Sequence, residues 1–257
     1  MIRRSDIVQW GVAHPWQNEN QVEQDLLLSR AMIEIANDPL LGEELVLRGG
    51  TAFHKLFLPE PYRYSEDLDF VRTTGGGIGD VMKRLTALGQ ELGFDVRTKI
   101  GMYPKVMWRF VFADGVPGKI KLEINTFERS PMMDLTTRVH SVENSFYTGS
   151  ALIPTFQPEE LVATKLRALY QRKKGRDLYD LWLALTVLEL DPEKIVASFP
   201  AYRPEGVTGD NMLANLALKL QDSEFCNDVY AMIKVGAPDY DPDIAGELVA
   251  SELLSRI

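Results

Sequence analysis

Three observations predict an α+β fold, a short mixed sheet followed by a helical region. Strand-like apolar alternation is confined to about the first 130 residues, a glycine pair separates an early strand from a helix, and helical periodicity dominates from residue 158 onward. The stretch Pro154-Thr155-Phe156-Gln157-Pro158 reads as a junction. Residues 1–155 are therefore expected to form one domain and residues 156–257 a second, helical one.

Taken in order, Ser5 is expected to cap a first helix that His14-Pro15 ends. Asn18 with Gln21 three residues later resembles a capping box, opening a helix that runs to Asp38-Pro39. Leu45–Leu47 reads as a short strand, Gly49-Gly50 as a turn, and Thr51 onward as a helix. After a Pro-punctuated loop comes a strand carrying Asp67 and Asp69. Thr73–Gly77 is a linker and Ile78–Leu92 an amphipathic helix. Three strands follow, Phe94–Ile100, Val106–Ala113 and Lys119–Phe127, with hairpin chemistry at Asp114–Gly118. Residues 130–156 read as irregular with short strands. Helices are then expected over Glu159–Arg172, Arg176–Leu188, Asp210–Leu220, Glu224–Lys234 and Asp243–Leu254.

Composition excludes several classes. No apolar run approaches the roughly 20 residues that span a bilayer. The N-terminus, MIRRSDIVQWGV, lacks the apolar core of a secretory signal. The single cysteine, Cys226, forms no internal disulfide, fits a cytoplasmic location, and reads as a buried small apolar group. A net charge of −9 argues against a protein that coats nucleic acid. Yet Lys165, Arg167, Arg172, Lys173, Lys174 and Arg176 cluster with no acid from Leu161 to Arg176, a local patch suited to phosphate.

The chemistry centres on Asp67 and Asp69. Strand residues alternate in direction, so these carboxylates share one face while Leu68 and Phe70 take the other. Paired carboxylates repel and call for a cation. The upstream glycine turn brings bare N–H groups close to an anion. In Lys119–Asn125 the apolar residues face one way, leaving Glu123 on the polar face as a third carboxylate if this strand neighbours Asp67–Asp69. Two divalent ions on three carboxylates suit in-line attack at a nucleotide α-phosphate, with Mg²⁺ the default and Mn²⁺ a substitute. His14, His54 and His140 are scattered without zinc spacing, the P-loop Lys-Ser/Thr is missing after Gly75-Gly76-Gly77, and G-x-S-x-G is absent.

Leu47-Arg48-Gly49-Gly50-Thr51-Ala52 followed by Arg63-Tyr64-Ser65-Glu66-Asp67-Leu68-Asp69-Phe70 resembles the AbiEii-type nucleotidyltransferases. These are the toxin halves of type IV-like toxin–antitoxin pairs, a group that includes the MenT toxins, within the DNA-polymerase-β-like superfamily. Downstream, Lys165 on a helix followed by Arg176-Asp177-Leu178-Tyr179-Asp180-Leu181 resembles the family's C-terminal motif. The chain departs from the general Gly-Ser signature by carrying Thr51, a hydroxyl either way, and by a long spacer before Asp67.

The resemblance implies a metal-dependent nucleotidyltransferase that moves NMP from an NTP to an acceptor hydroxyl, foremost the 3′ end of tRNA. A protein or small-molecule acceptor, and an inactive protein-binding module, are the alternatives. Gly49, Gly50, Thr51 and Ser65 would bind the nucleotide, and Asp67, Asp69 and Glu123 would ligate Mg²⁺. Lys165 would reach the phosphates, Asp177 would orient Lys165 or an arginine, and Arg176 would be a further phosphate ligand. Arg172, Lys173 and Lys174 would meet the RNA backbone. Phosphorylation of Ser65 would add negative charge to an acidic site. A cognate antitoxin, a monomeric state and no membrane partner complete the expectation.

Overall fold

The alternating stretches become strands of one mixed sheet in the computed structural model, which describes residues 2–257. Seven strands, β1 (Leu45–Arg48), β2 (Asp67–Arg72), β3 (Asp95–Lys99), β4 (Lys105–Val111), β5 (Pro117–Asn125), β6 (Thr136–Glu143) and β7 (Thr148–Thr155), lie in the order β3-β4-β5-β2-β1-β7-β6. Pairing is antiparallel except for β2 with β5 and β1 with β7, which are parallel. Strand β5 is thus internal, and its Ile120, Leu122 and Ile124 are buried while Lys121 and Glu123 face the half-open side.

Helices cover the apolar side. α1 (Arg4–Ala13) is capped by Arg3 rather than Ser5, because the Asp6 carboxylate accepts from the Arg3 backbone N–H at 2.9 Å. Asn18 caps α2 (Glu19–Asn37) by accepting from Gln21 N. The short α3 (Leu41–Glu44) was not signalled by periodicity; the Asp38 carboxylate starts it by accepting from Leu40 N and Leu41 N. The next helix, α4 (Gly49–Leu56), begins at the glycine pair itself rather than after it. α5 (Gly79–Glu91) lies over buried Trp108, whose Nε1–H donates to the Leu85 carbonyl at 3.1 Å.

After β7 the chain is helical: α6 (Pro158–Gln171), α7 (Gly175–Thr186), α8 (Pro192–Ser198), α9 (Gly209–Leu220), α10 (Ser223–Asn227) and α11 (Pro242–Glu252). Pro158 at the first position and Glu159 and Glu160 in the first turn favour the start of α6. Buried apolar side chains form one cluster on both sides of residue 155. No helix among the described residues is long and apolar enough to cross a membrane.

Three expectations are corrected. Residues 130–156 carry the β6–β7 hairpin, two strands of eight residues each. Its exposed β6 shows little apolar alternation, and Pro154 is tolerated in β7 because that strand meets β1 only at Leu47↔Thr155. The helix expected over Glu224–Lys234 stops at Asn227. Backbone groups beyond it bond elsewhere: Tyr64 N donates to Met232 O at 2.8 Å and Lys234 N to Tyr62 O at 2.9 Å. Cys226 is half-buried, its thiol against the Leu220 carbonyl.

Candidate active site

Sheet register assembles the acidic face. Parallel pairing sets Asp69 opposite Glu123 and Asp67 opposite Lys121, while antiparallel β1 sets Arg48 opposite Asp69. Lys121 Nζ lies 2.8 Å from Asp67 Oδ2 and 3.8 Å from Glu123 Oε2, and Lys105 Nζ lies 2.7 Å from Glu123 Oε2. Among the described residues Asp69 has no such partner. Burial, and then the Asp67 charge, raise its pKa against the pull of Lys121 and Arg48. Among the described residues no three carboxylate, histidine or cysteine side chains have converged into a metal-holding group. The donor chemistry nevertheless fits a hard divalent ion: three carboxylates share one face, and an ammonium already stands between two of them.

The glycines permit close approach at this face. Gly49 has φ +79°, and a Cβ there would sit 2.6 Å from Asp69 Oδ2. A Cβ on Gly50 would sit 2.5 Å from the Arg63 guanidinium. Thr51, expected to touch the triphosphate, is buried instead. Its hydroxyl donates to the Asp67 carbonyl at 2.5 Å and lies 2.8 Å from Ser65 Oγ, bracing the loop from behind. Ser65 itself lines the cleft, as do Gly49 and Gly50.

The facing wall comes from α6 and α7. Lys165 Nζ is 2.7 Å from Asp180 Oδ2 but 3.7 Å from Asp177 Oδ1. Asp180 is therefore the nearer partner of Lys165, and Asp177 instead accepts two bonds of 2.6 Å from Arg172. Asp180 also takes the Arg63 guanidinium in a fork, both contacts 2.7 Å, and the His54 imidazole at 2.9 Å. Burial opposes ionisation of Asp180, but Arg63 and Lys165 outweigh it and hold the carboxyl well below its usual range. Burial and the Arg63 charge lower the His54 pKa to about 4. A neutral imidazole then donates from Nε2 to Asp180, with Nδ1 facing the Arg63 N–H at 3.4 Å.

These walls enclose a cleft of about 640 Å³. Its lining includes Asp67, Asp69, Glu123, Lys165, Arg172 and Arg176, so the structure brings the principal expected residues together. Lys173 and Lys174 stand apart from it: Lys173 pairs with Asp222 and Glu224, and Lys174 with Asp228. At the opposite end Arg48 and Arg167 both pair with Glu128. Burial works against the Glu128 charge, but these two guanidinium groups prevail and lower its pKa. Arg63 and Asp180 lay inside the quoted motifs, and His54 between two of them, without an assigned role; their burial together reveals one. Arg48 also lay inside a quoted motif without a role, whereas Glu128 and Lys121 carried no sequence signal beyond being charged.

The family model described as "Nucleotidyl transferase AbiEii toxin, Type IV TA system" matches residues 30–243. Among solved structures, MenT4, a nucleotidyltransferase toxin from Mycobacterium tuberculosis H37Rv, aligns with 100% of this chain and 91% of its own. Its TM-score is 0.64 at 16% identity, a likeness of fold. An antigenic nucleotidyltransferase-like protein from Paracoccidioides brasiliensis is 16% identical over 81% of this chain and 91% of that one, with a TM-score of 0.43. The Bradyrhizobium diazoefficiens CD-NTase CdnG, solved with GTP, is 13% identical over 91% and 83% of the two chains, with a TM-score of 0.28. No curated protein sequence matches the chain. The family match spans both motifs and both walls of the cleft, and the chain belongs to the AbiEii nucleotidyltransferase toxin family of type IV toxin–antitoxin systems.

Proposed function

We propose that this nucleotidyltransferase moves NMP from an NTP to an RNA hydroxyl, foremost the 3′ end of tRNA, and so removes an acceptor needed for translation. The observation that carries the reading is the Asp69↔Glu123 register, which sets three carboxylates against the wall holding Lys165. In the reaction the acceptor oxygen bonds to the α-phosphorus, the bond to the β-phosphate oxygen breaks, and pyrophosphate leaves. Asp67, Asp69 and Glu123 would hold Mg²⁺ or Mn²⁺, which supplies charge neutralisation at the phosphates.

The chain's own residues do the rest. The amino end of α4 at Gly49-Gly50, with Lys165 and Arg176, receives the triphosphate. Glu123 takes the proton of the attacking hydroxyl. Residues 1–155 act as one side of the site and residues 156–257 as the other. With a net charge of −9, contact with RNA is confined to this cleft, and Lys173 and Lys174 are held away from it by their own acids. A cognate antitoxin, a monomeric enzyme and a cytoplasmic site of action accompany this reading.

Total RNA incubated with Mg²⁺ and each α-labelled NTP is expected to yield one labelled band of tRNA size. Asp69→Asn and Lys165→Ala lower the labelling by about 10²–10³-fold, the cost of removing a charge that stabilises the transition state. A product destroyed by protease rather than by ribonuclease would move the acceptor from RNA to protein.

A further inference from the structure

The cleft has two chemically different ends along β2. Before Asp67 lie Ser65 and Arg63, with the glycine turn packed on both. Beyond Asp69 the lining changes. Strand β5 ends at Asn125, opposite Val71, and the Ile124 N–H donates to Pro104 O at 2.9 Å, which places Tyr103 beside that end. Tyr103 lines the cleft, and its ring meets that of Phe127, outside the lining, edge-on, 5.8 Å between centroids and 73° between planes. They are 43% and 63% exposed, so their faces are open to a ligand. Glu128, the next residue, gathers Arg48 and Arg167.

We infer that this end is the acceptor subsite, built for a single-stranded RNA terminus; the inference rests on the RNA reading above. The bases stack on Phe127 and Tyr103, and a phosphodiester is held by Arg48 and Arg167. In-line displacement requires the acceptor hydroxyl to enter opposite the departing pyrophosphate. With the triphosphate on the glycine turn, the open approach is the side past Glu123, where the aromatic pair stands. Two guanidinium groups directed at one anion match a phosphate oxygen pair, and each keeps donors free while bound to Glu128. Exposed rings beside such a pair form a platform that accepts any base.

The test uses a 5′-fluorescein single-stranded RNA oligonucleotide with a free 3′ hydroxyl, full-length protein, and Mg²⁺ with the NTP. Phe127→Ala and Tyr103→Ala each weaken oligonucleotide binding, read by anisotropy, by roughly tenfold, as expected for one lost base–aromatic stack. They raise the oligonucleotide KM in parallel and leave NTP-dependent thermal stabilisation unchanged. Arg167→Met does the same and also lessens the salt dependence of binding. Because Phe127 and Tyr103 are exposed, their variants fold even if Arg167→Met does not. Unchanged RNA affinity in both aromatic variants overturns the subsite, and so does a loss of NTP stabilisation, which would make these rings the nucleotide's own stacking surface. Labelling of RNA by wild type with unaffected variants removes the subsite alone. Wild type that neither binds nor labels RNA removes the RNA reading and the subsite together.

Discussion

Arg63 and Asp180, 117 positions apart, meet as a buried fork with both N···O distances at 2.7 Å. This pair fastens the loop before β2 to α7, and Lys165 shares the same carboxylate. Asp180→Ala would strand two buried cations, a change that costs about 3–5 kcal/mol. Calorimetry is expected to show a melting temperature lower by on the order of 10 °C. A loss of only one or two degrees would mean that water or neighbouring groups readily replace the carboxylate.

Lys121 stands between Asp67 and Glu123, where the proposed metal ions would need oxygen donors to themselves. Its ammonium and a divalent ion compete for the same carboxylates. Lys121→Met is therefore expected to tighten Mn²⁺ binding to the nucleotide-free protein by several-fold, measured from the loss of the free-ion paramagnetic signal. Weaker binding in the variant would show that Lys121 organises the carboxylates rather than competing for them.

Gly49 combines a left-handed φ of +79° with a side-chain position 2.6 Å from Asp69 Oδ2. Gly49→Ala adds backbone strain of roughly 1–2 kcal/mol and pushes Asp69 off its place on the sheet. The variant is expected to lose most labelling activity while its melting temperature falls by only a few degrees. Full activity in a folded Gly49→Ala protein would contradict the placement of Asp69 at the reacting phosphate.

Acid sensitivity follows from histidines rather than from carboxylates. Burial lowers His54 and His14 to about 4 and His140 to about 3, below the unfolded value near 6.5. Between about pH 6.5 and 4 the unfolded chain binds protons that the folded chain refuses, so stability is whole above that window and falls as pH drops through it. For buried His54 the slope approaches about 1.4 kcal/mol per pH unit. Asp180 acts lower down: its depressed pKa keeps its contribution intact above about pH 3.9 and loses it only in stronger acid. Melting temperature against pH is the measurement. His140→Leu should flatten the slope, since the buried Nε2 of His140 has no hydrogen-bond partner to lose. An unchanged slope would remove His140 from the account.

The acidic face was legible because the strand period of two fixes which side chains share a side, and that held for Asp67, Asp69 and Glu123 alike. The helix caps at Asn18 and the proline start at Pro158 were legible for a similarly local reason. Burial was not. Arg63, His54 and Asp180 are residue types that usually face water, and only α7 closing over the loop removes them from it. The pairing of Lys173 and Lys174 was not legible because their acids lie about fifty positions downstream, at Asp222, Glu224 and Asp228, outside any window that sequence spacing samples. The β6–β7 hairpin was hidden by an exposed strand and a proline that would ordinarily argue against pairing.

The fork between Arg63 and Asp180 also bears on timing. A chain on the ribosome has made its carboxylates and glycine turn long before residue 180 exists, and until then Lys165 and Arg63 lack the carboxylate they share. The wall that carries Lys165 can therefore close on the carboxylate face only once Asp180 has emerged to take both cations.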